Sequence, residues 1–479
     1  MAVDQTRRIH ILHTNDIHSH FEQMAKIETV LTHLRNEFDA LGEASITVDV
    51  GDHLDRSRLE TEGTQGQANR AVMEMSQYRI VTLGNNELLT FTKEDLENLY
   101  QDAPFTVLGT NITELDGKRP SWLQPWVIKE LGGLQIGFLG VTIPFQPFYE
   151  KLGWQVDQPE EVLPEQVNQL RQRVDLVVLL SHLGLATDRR LAEQIPGIDV
   201  ILGGHTHHLL EEAEQVGQTL IAAAGKFGSH LGRVTITFDP HSRKIVHMDG
   251  HCIPVANSQQ DPDMVELNLK FYLQGNRRLE NPIGTIHQSL PIDWYQESLL
   301  GNILADALRR WTGAPFSLVN AGQLLQGLEK GLVTRRHLHK ICPHPINPCV
   351  TLLTGEAIRR TLEEALLKEY QELEIRGFGF RGKRLGILNL SGIQVFYRKE
   401  EAPYHKIQKI LMDGVPLVDT EKYEIATVDM FTFGVGYLGL KASERIEYFL
   451  PELLRDVLAS WVTNPKAIEL GEKCRWIKE

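Results

Sequence analysis

Five times between residues 8 and 207, a short apolar run breaks off in aspartate, asparagine or histidine. Arg8–Leu12 runs into HTNDIH, Ile46–Val50 into Gly51-Asp52, and Val81–Leu83 into Gly84-Asn85. Leu176–Leu180 runs into Ser181-His182, and Ile198–Leu202 into Gly203-Gly204-His205-Thr206-His207. Apolar runs this short, bounded by glycine and polar residues, read as buried strands. Helical stretches lie between several of them. Ala25–Phe38 carries Ile27, Val30, Leu31, Leu34 and Phe38 at helical spacing, and residues 60–80 also read as helix. Strands alternating with helices predict an α/β fold. Further strands are expected at Thr106–Leu108, Ile136–Val141, Leu220–Ala223 and Val234–Phe238.

The strand ends supply seven side chains of metal-binding type: Asp16, His18, Asp52, Asn85, His182, His205 and His207. On an extended segment residues i and i+2 share a face, so His205 and His207 are expected to converge on one point. Oxygen and imidazole donors without a thiolate suit Mn, Zn, Fe, Co or Ni. Seven donors exceed one tetrahedral ion. They fit two divalent ions about 3.5–4 Å apart, sharing a carboxylate, which together clamp a phosphoryl group and activate water. Each motif alone is more often a turn or a helix cap. All five in one chain, each after an apolar run, point to a metal centre.

The formal net charge of -14 and a pI near 5.8 argue against nucleic acid as a partner. They leave room for a small phosphorylated substrate, because bound cations invert the local field. The four cysteines form no CxxC pair. Cys342 and Cys349 flank a proline-rich turn that includes His344, and free thiols in a rigid loop are the expected reading over a small metal site. The N-terminus lacks a long apolar core, and no run of 18 apolar residues occurs. A cytoplasmic protein with no signal peptide and no membrane span is expected. The oligomeric state is open.

Composition changes at the polar stretch NSQQDPD, which places a domain boundary near residue 257 and predicts domains 1–257 and 258–479. Helices are expected over Met264–Leu279, over Glu297–Trp311, from a Thr354 cap to Lys368, and from Pro451 to Trp461. A glycine-rich basic stretch, GFGFRGKRLG, spans 377–386.

The five N-terminal motifs, in this order, resemble the calcineurin-like metallophosphoesterases. More narrowly the chain resembles the 5'-nucleotidase / UDP-sugar hydrolase / 2',3'-cyclic phosphodiesterase family. QESLLGNILADALRR, VNAGQL, GLVTRRHL, LTGEAIRRTLEEA, NLSGI and FGVGY extend the likeness through the C-terminal half. The resemblance implies two β-sheets sandwiched between helices, with metal at the strand ends, and a second α/β domain that recognises the nucleoside. It implies one ion on Asp16, His18, Asp52 and His207, and another on Asp52, Asn85, His182 and His205, bridged by Asp52. It implies metal-dependent hydrolysis of phosphate ester or anhydride bonds in nucleotides or related metabolites, in the manner of a 5'-nucleotidase, with a nucleotide-sugar pyrophosphatase, a cyclic phosphodiesterase and a non-catalytic metal- or nucleotide-binding protein as the alternatives.

The chain departs from the family at two places. The family's third motif reads GNHE-x-D, a histidine that assists the leaving group and an aspartate that orients it. Here Asn86 and Leu89 stand in those positions. Asparagine donates a hydrogen bond but is no general acid. His20, His53 and His208 lie beside expected ligands and are candidate replacements, with His20 placed beside Asp52 and Asn86 in the expected catalytic set. Anhydrides and activated esters, whose leaving groups need no proton, are the expected substrates. In the nucleoside site Tyr437 matches one of the family's two stacking aromatics, but Ile387 occupies the other position. Asn320, Phe378, Phe380 and Arg381 are expected to bind substrate there, with Arg376, Lys383 and Arg384 as further phosphate contacts.

Overall fold

The computed structural model describes residues 6–479, which divide into two compact units that part between Gly275 and Asn276. In the first unit two sheets face each other. The seven-stranded sheet runs Ile245–Pro254, His230–Phe238, Arg7–Thr14, Ala44–Asp49, Ile80–Thr82, Thr106–Leu108, Leu123–Gln124. The six-stranded sheet runs Glu214–Val216, Thr219–Ala222, Val200–Gly203, Leu176–His182, Leu134–Thr142, Trp126–Leu131.

The period of two decides what each face does. Val178 and Leu180 join Ile9, Ile11, Val48 and Ile80 between the sheets, while Val177 and Leu179 face outward under the helices Pro159–Arg171 and Leu185–Gln194. On the other side the helix Phe21–Leu41 buries Met24, Ile27, Leu31, Leu34 and Phe38. It stops at Gly42, at φ 70°, whose N–H donates to the Asp39 carbonyl while the Glu43 N–H donates to the Phe38 carbonyl. This is the helix-covered sandwich that the motifs implied.

The central strands of each sheet are parallel: Arg7–Thr14 with Ala44–Asp49, and Leu176–His182 with Val200–Gly203. Their C-terminal ends therefore open on the same edge of their sheet. The single helix expected over 60–80 is two, Leu59–Thr64 and Gln67–Met75, broken by left-handed Gln65 and Gly66. The break lets Asn69 reach inward, where Nδ2 donates to Ser19 Oγ and the His53 carbonyl, both at 2.9 Å.

The polar stretch after residue 256 ends a strand, but the compact units part later, within the helix Pro262–Leu279. The reason is packing: Met264 is buried in the first unit's core, with Leu267 and Phe271 against it.

The second unit is built on a five-stranded sheet, Leu388–Ser391, Phe316–Asn320, Lys422–Val428, Pro348–Thr354, Ile446–Tyr448. The helix Leu299–Thr312 buries Leu300, Ile303, Leu304, Ala307 and Leu308 in this unit's core. Thr354 caps Gly355–Ala365 through its hydroxyl, which accepts the Ala357 N–H. The helix expected from Pro451 begins only at Leu454, after a first turn in which Asp456 accepts the Leu453 N–H. Cys342 and Cys349 are buried free thiols. No helix is long and apolar enough to cross a membrane among the described residues.

Candidate metal centre

Asp16 and His18 follow the first strand, Asp52 the second and Asn85 the third; His182 ends the Leu176–His182 strand, and His205 and His207 follow the strand that ends at Gly203. Asp16, His18 and His207 present ligand atoms within 4.8 Å of one another, and so do Asp16, Asp52 and His182. Asn85 and His205 join them, with Asn85 Oδ1 and His205 Nδ1 2.8 Å apart and the His182 and His205 rings 5.4 Å apart. All seven residues that the sequence singled out meet at one place.

They do not meet by strand alternation. His205 and His207 sit at φ 72° and 60°, in a left-handed turn beyond the strand, and they serve different partners: His205 faces Asn85, and His207 Nε2 lies 3.4 Å from Asp16 Oδ1. Asp16, His18 and Asp52 are left-handed as well, at φ 50°, 46° and 51°. Left-handed backbone costs a non-glycine residue about 1–2 kcal/mol. Such strain concentrates where a site fixes side chains in place.

The imidazoles are set to accept a cation. His182 Nδ1 donates to the Val50 carbonyl at 2.8 Å, which leaves Nε2 facing Asp52 Oδ1 at 3.3 Å. That nitrogen has no hydrogen-bond partner among the described residues. With Nδ1 donating elsewhere, a proton or a metal cation must lie between Nε2 and the carboxylate. His18 also turns Nε2 toward the cluster. Its Nδ1 meets Asp55 Oδ2 at 3.4 Å and the Asn86 amide at 2.9 Å, while Nε2 turns to His207 Nε2 at 3.3 Å and Asp52 Oδ2 at 3.8 Å.

The protonation balance tells the same story. Burial opposes charge on His182, yet the Asp52 carboxylate raises its imidazolium to about 10. Burial alone would raise the Asp16 carboxyl, but His207, His182 and His18 hold it below the usual carboxylate range. Buried carboxylates and imidazoles that demand compensating charge, with no thiolate in the set, fit divalent cations.

The sequence missed the residues that position these. Glu87 is buried and accepts three backbone N–H groups, from Gly84 at 2.8 Å, Asp52 at 3.0 Å and Leu54 at 2.9 Å. It ties the ends of two strands together. Burial and then the Asp52 charge push its carboxyl up to about 7. The signal was its place in the first turn after Gly84, the third helical position of a capping box. Asn15 bonds Asp16 Oδ2 and the Gly225 carbonyl. Phe227, left-handed at φ 60°, stacks on His20 at 4.1 Å and meets the His18 ring edge-on at 5.6 Å.

Asn86 turns its amide to His18 Nδ1 and, at 3.3 Å, to the Leu54 carbonyl, while its backbone N–H donates to Asp52 Oδ1. Of the three histidines expected as replacement acids, His53 is buried beside Asn69, and burial lowers it to about 3. His20 is half-buried, with Nδ1 bonded to the Ile17 carbonyl at 3.0 Å, and burial followed by Arg58 lowers it. His208 is exposed and pairs with Thr206 Oγ1.

In the second unit the expected substrate residues divide. Tyr437 is buried, donates its hydroxyl to the Gly386 carbonyl and stacks on Tyr370. Asn320 is buried and donates to the Leu385 carbonyl at 2.8 Å. Phe380 is buried and stacks on His344 at 5.1 Å. These three hold the 377–386 loop in place rather than facing solvent. The loop turns tightly, with the Phe380 N–H on the Gly377 carbonyl. Its tip pushes Phe378 outward, at φ 53° and 46% exposed, beside the exposed Phe433 ring at 5.8 Å. Arg381 is half-buried, its N–H held by His344 Nδ1 at 2.8 Å.

The chain matches the calcineurin-like phosphoesterase family over residues 9–209 and the 5'-nucleotidase C-terminal domain over residues 282–439. It is 38% identical to the uncharacterized metallophosphoesterase YunD of Bacillus subtilis, over 94% of this chain and 98% of that protein. It is 22% identical to the snake venom 5'-nucleotidase of Naja atra, over 83% of each. Among solved structures it resembles a 5'-nucleotidase precursor of Thermus thermophilus, with a TM-score of 0.60 at 21% identity over 98% of this chain and 99% of the other.

Proposed function

The chain belongs to the calcineurin-like metallophosphoesterases that carry a 5'-nucleotidase C-terminal domain, and from that premise we propose that it hydrolyses nucleotides at phosphoanhydride or activated ester bonds, in preference to nucleoside monophosphates. The convergence of Asp16, His18, Asp52, Asn85, His182, His205 and His207 supports a centre of two ions drawn from Mn, Zn, Fe, Co and Ni. Asp16, His18, Asp52 and His207 would hold one, and Asp52, Asn85, His182 and His205 the other. Such ions supply positive charge to the phosphoryl oxygens and lower the pKa of bound water.

The chain's own groups then set the selectivity. Val50 fixes the His182 ring through Nδ1, and Asp55 and Asn86 fix His18, so that both present Nε2 inward. The observation that carries the preference is Asn86. Its amide is engaged by His18 and the Leu54 carbonyl, and an amide has no proton to give an alkoxide. General acid–base assistance is worth about 10²–10⁴-fold. A nucleoside 5'-oxygen leaving without it loses that factor; a phosphate leaving from an anhydride does not. His20 stands nearest to replacing the acid, but its lowered pKa leaves it mostly neutral near pH 7. In the second unit the exposed Phe378 ring offers a face to a nucleobase, and Arg381 a cation to phosphate.

The test is phosphate release by the Mn-loaded protein from AMP and, with a coupling phosphatase, from UDP-glucose, with Asp52→Asn as the control. Cleavage of UDP-glucose at least about 100-fold faster than AMP is expected. Equal rates overturn the preference and direct attention to His20. No cleavage of either removes the nucleotide from the reading.

A further inference from the structure

The helix Pro262–Leu279 carries two apolar stripes. Met264, Leu267 and Phe271 form one, packed on the first unit's core, where Asn268 Nδ2 also donates to the Phe21 carbonyl at 2.9 Å. Val265, Leu269, Tyr272 and Leu273 form the other, at i, i+4, i+7 and i+8, on nearly the opposite face. These four are 41%, 55%, 40% and 56% exposed. Together they leave an exposed apolar stripe along one face of the helix. A helix apolar on both faces is built to be covered on both; here one is bare.

We propose that this stripe is a self-association surface, covered by the same helix of a second copy laid antiparallel about a two-fold axis. The charges choose this occupant. Glu266 and Arg277, both exposed, lie about three helical turns apart and therefore on the same flank of the stripe. An antiparallel pair crossing near Phe271 brings Glu266 beside Arg277 of the second copy, and Arg277 beside its Glu266. The same register sets Leu269 against Leu273 of the second copy, with Tyr272 near the axis. The two-fold makes each contact twice, as an isologous interface requires. A membrane surface is the poorer occupant. An interfacial helix carries lysine and arginine on its polar face, whereas this one mixes Asp263, Glu266, Lys270, Arg277 and Arg278 in a chain of net charge -14. The patch doubled, with its charged flanks, reaches only the low end of specific interfaces, so the dimer is reversible and micromolar.

Sedimentation velocity of the full chain between about 1 and 100 µM tests this, spanning the dissociation constants of weak complexes. A concentration-dependent shift from monomer to dimer is expected. Leu269→Glu abolishes it while leaving the circular dichroism spectrum and thermal midpoint unchanged. Glu266→Arg weakens association by at least about fivefold, because two like-charge pairs replace two attractive ones. Adding Arg277→Glu to that variant restores it. A chain that stays monomeric, a dimer indifferent to Leu269→Glu, or a charge swap that fails to restore association overturns the proposal. So does a monomer that binds phosphatidylglycerol vesicles through the stripe.

Discussion

Replacing Gly84 by alanine tests whether the centre depends on how closely two strand ends approach. The backbone of Gly84, at φ -91° and ψ -175°, is open to alanine, so any effect comes from contact and not from strain. An added Cβ would lie 2.1 Å from Asp52 Oδ1 and 2.4 Å from Asp52 N, where real contacts essentially never fall below 3.0 Å. Something must move by about 0.9 Å, and the carboxylate is poorly placed to yield. Asn86 N–H binds Asp52 Oδ1 at 2.8 Å, and Glu87 holds the Asp52 N–H at 3.0 Å. A shift near 1 Å at a reacting centre costs about 100-fold in turnover, or about 2.7 kcal/mol of barrier. Overpacking adds about 1–3 kcal/mol of lost stability. The assay is Mn affinity by competition with a chromogenic chelator, alongside turnover of bis(p-nitrophenyl) phosphate in excess Mn and the circular dichroism spectrum. Metal affinity should fall by about 10–100-fold with the fold retained. Wild-type affinity and turnover in Gly84→Ala would refute the claim that the position of Asp52 is fixed by this contact.

Other outcomes follow from the same contacts. Glu87→Ala leaves the Gly84, Asp52 and Leu54 N–H groups without their acceptor, so stability should drop by about 3–5 kcal/mol in urea unfolding; Glu87→Gln, which retains an acceptor oxygen, should lose less. Burial, then Arg381 and Arg455, lowers His344 to about 3, against an ordinary 6.5. Its folded pKa lies below the unfolded one, so its stability contribution is complete above pH 6.5 and is lost toward pH 3 by about 1.4 kcal/mol per unit. Urea midpoints measured across that range in chelator should fall less steeply in His344→Gln; an unchanged slope would remove His344 from the account. Phe378→Gly relieves a left-handed phenylalanine whose ring is half exposed, so stability should stay within about 1 kcal/mol while KM for a nucleotide rises and kcat holds. An unchanged KM would show that the ring does not touch substrate.

Much of this was written locally. Strand ends such as Leu180-Ser181-His182 declared themselves through apolar runs broken by ligand-type residues, because burial on both faces leaves few polar positions and those become conspicuous. The helix Phe21–Leu41 declared itself through its stripe, and Thr354 through its capping hydroxyl. What stayed hidden depends on the neighbour across space. Glu87 drew no reading from the sequence and is the buried staple of three backbone groups. Tyr437 and Phe380 looked like stacking platforms and are interior supports, because Gly386 and His344 lie where their ring edges and faces fall.

The sequence by itself determined which side chains come together and that they stand at strand ends, since hydrophobic periodicity and residue chemistry are properties of a few adjacent residues. Only the tertiary structure decided who faces whom. His207 meets Asp16 and His205 meets Asn85 across 191 and 120 residues of chain. Both depend on left-handed turns at φ 60° and 72° that no alternation rule anticipates. That backbone conformation is disfavoured locally and is held by contacts across space, as where the Asp16 carboxylate accepts the His205 N–H at 3.0 Å.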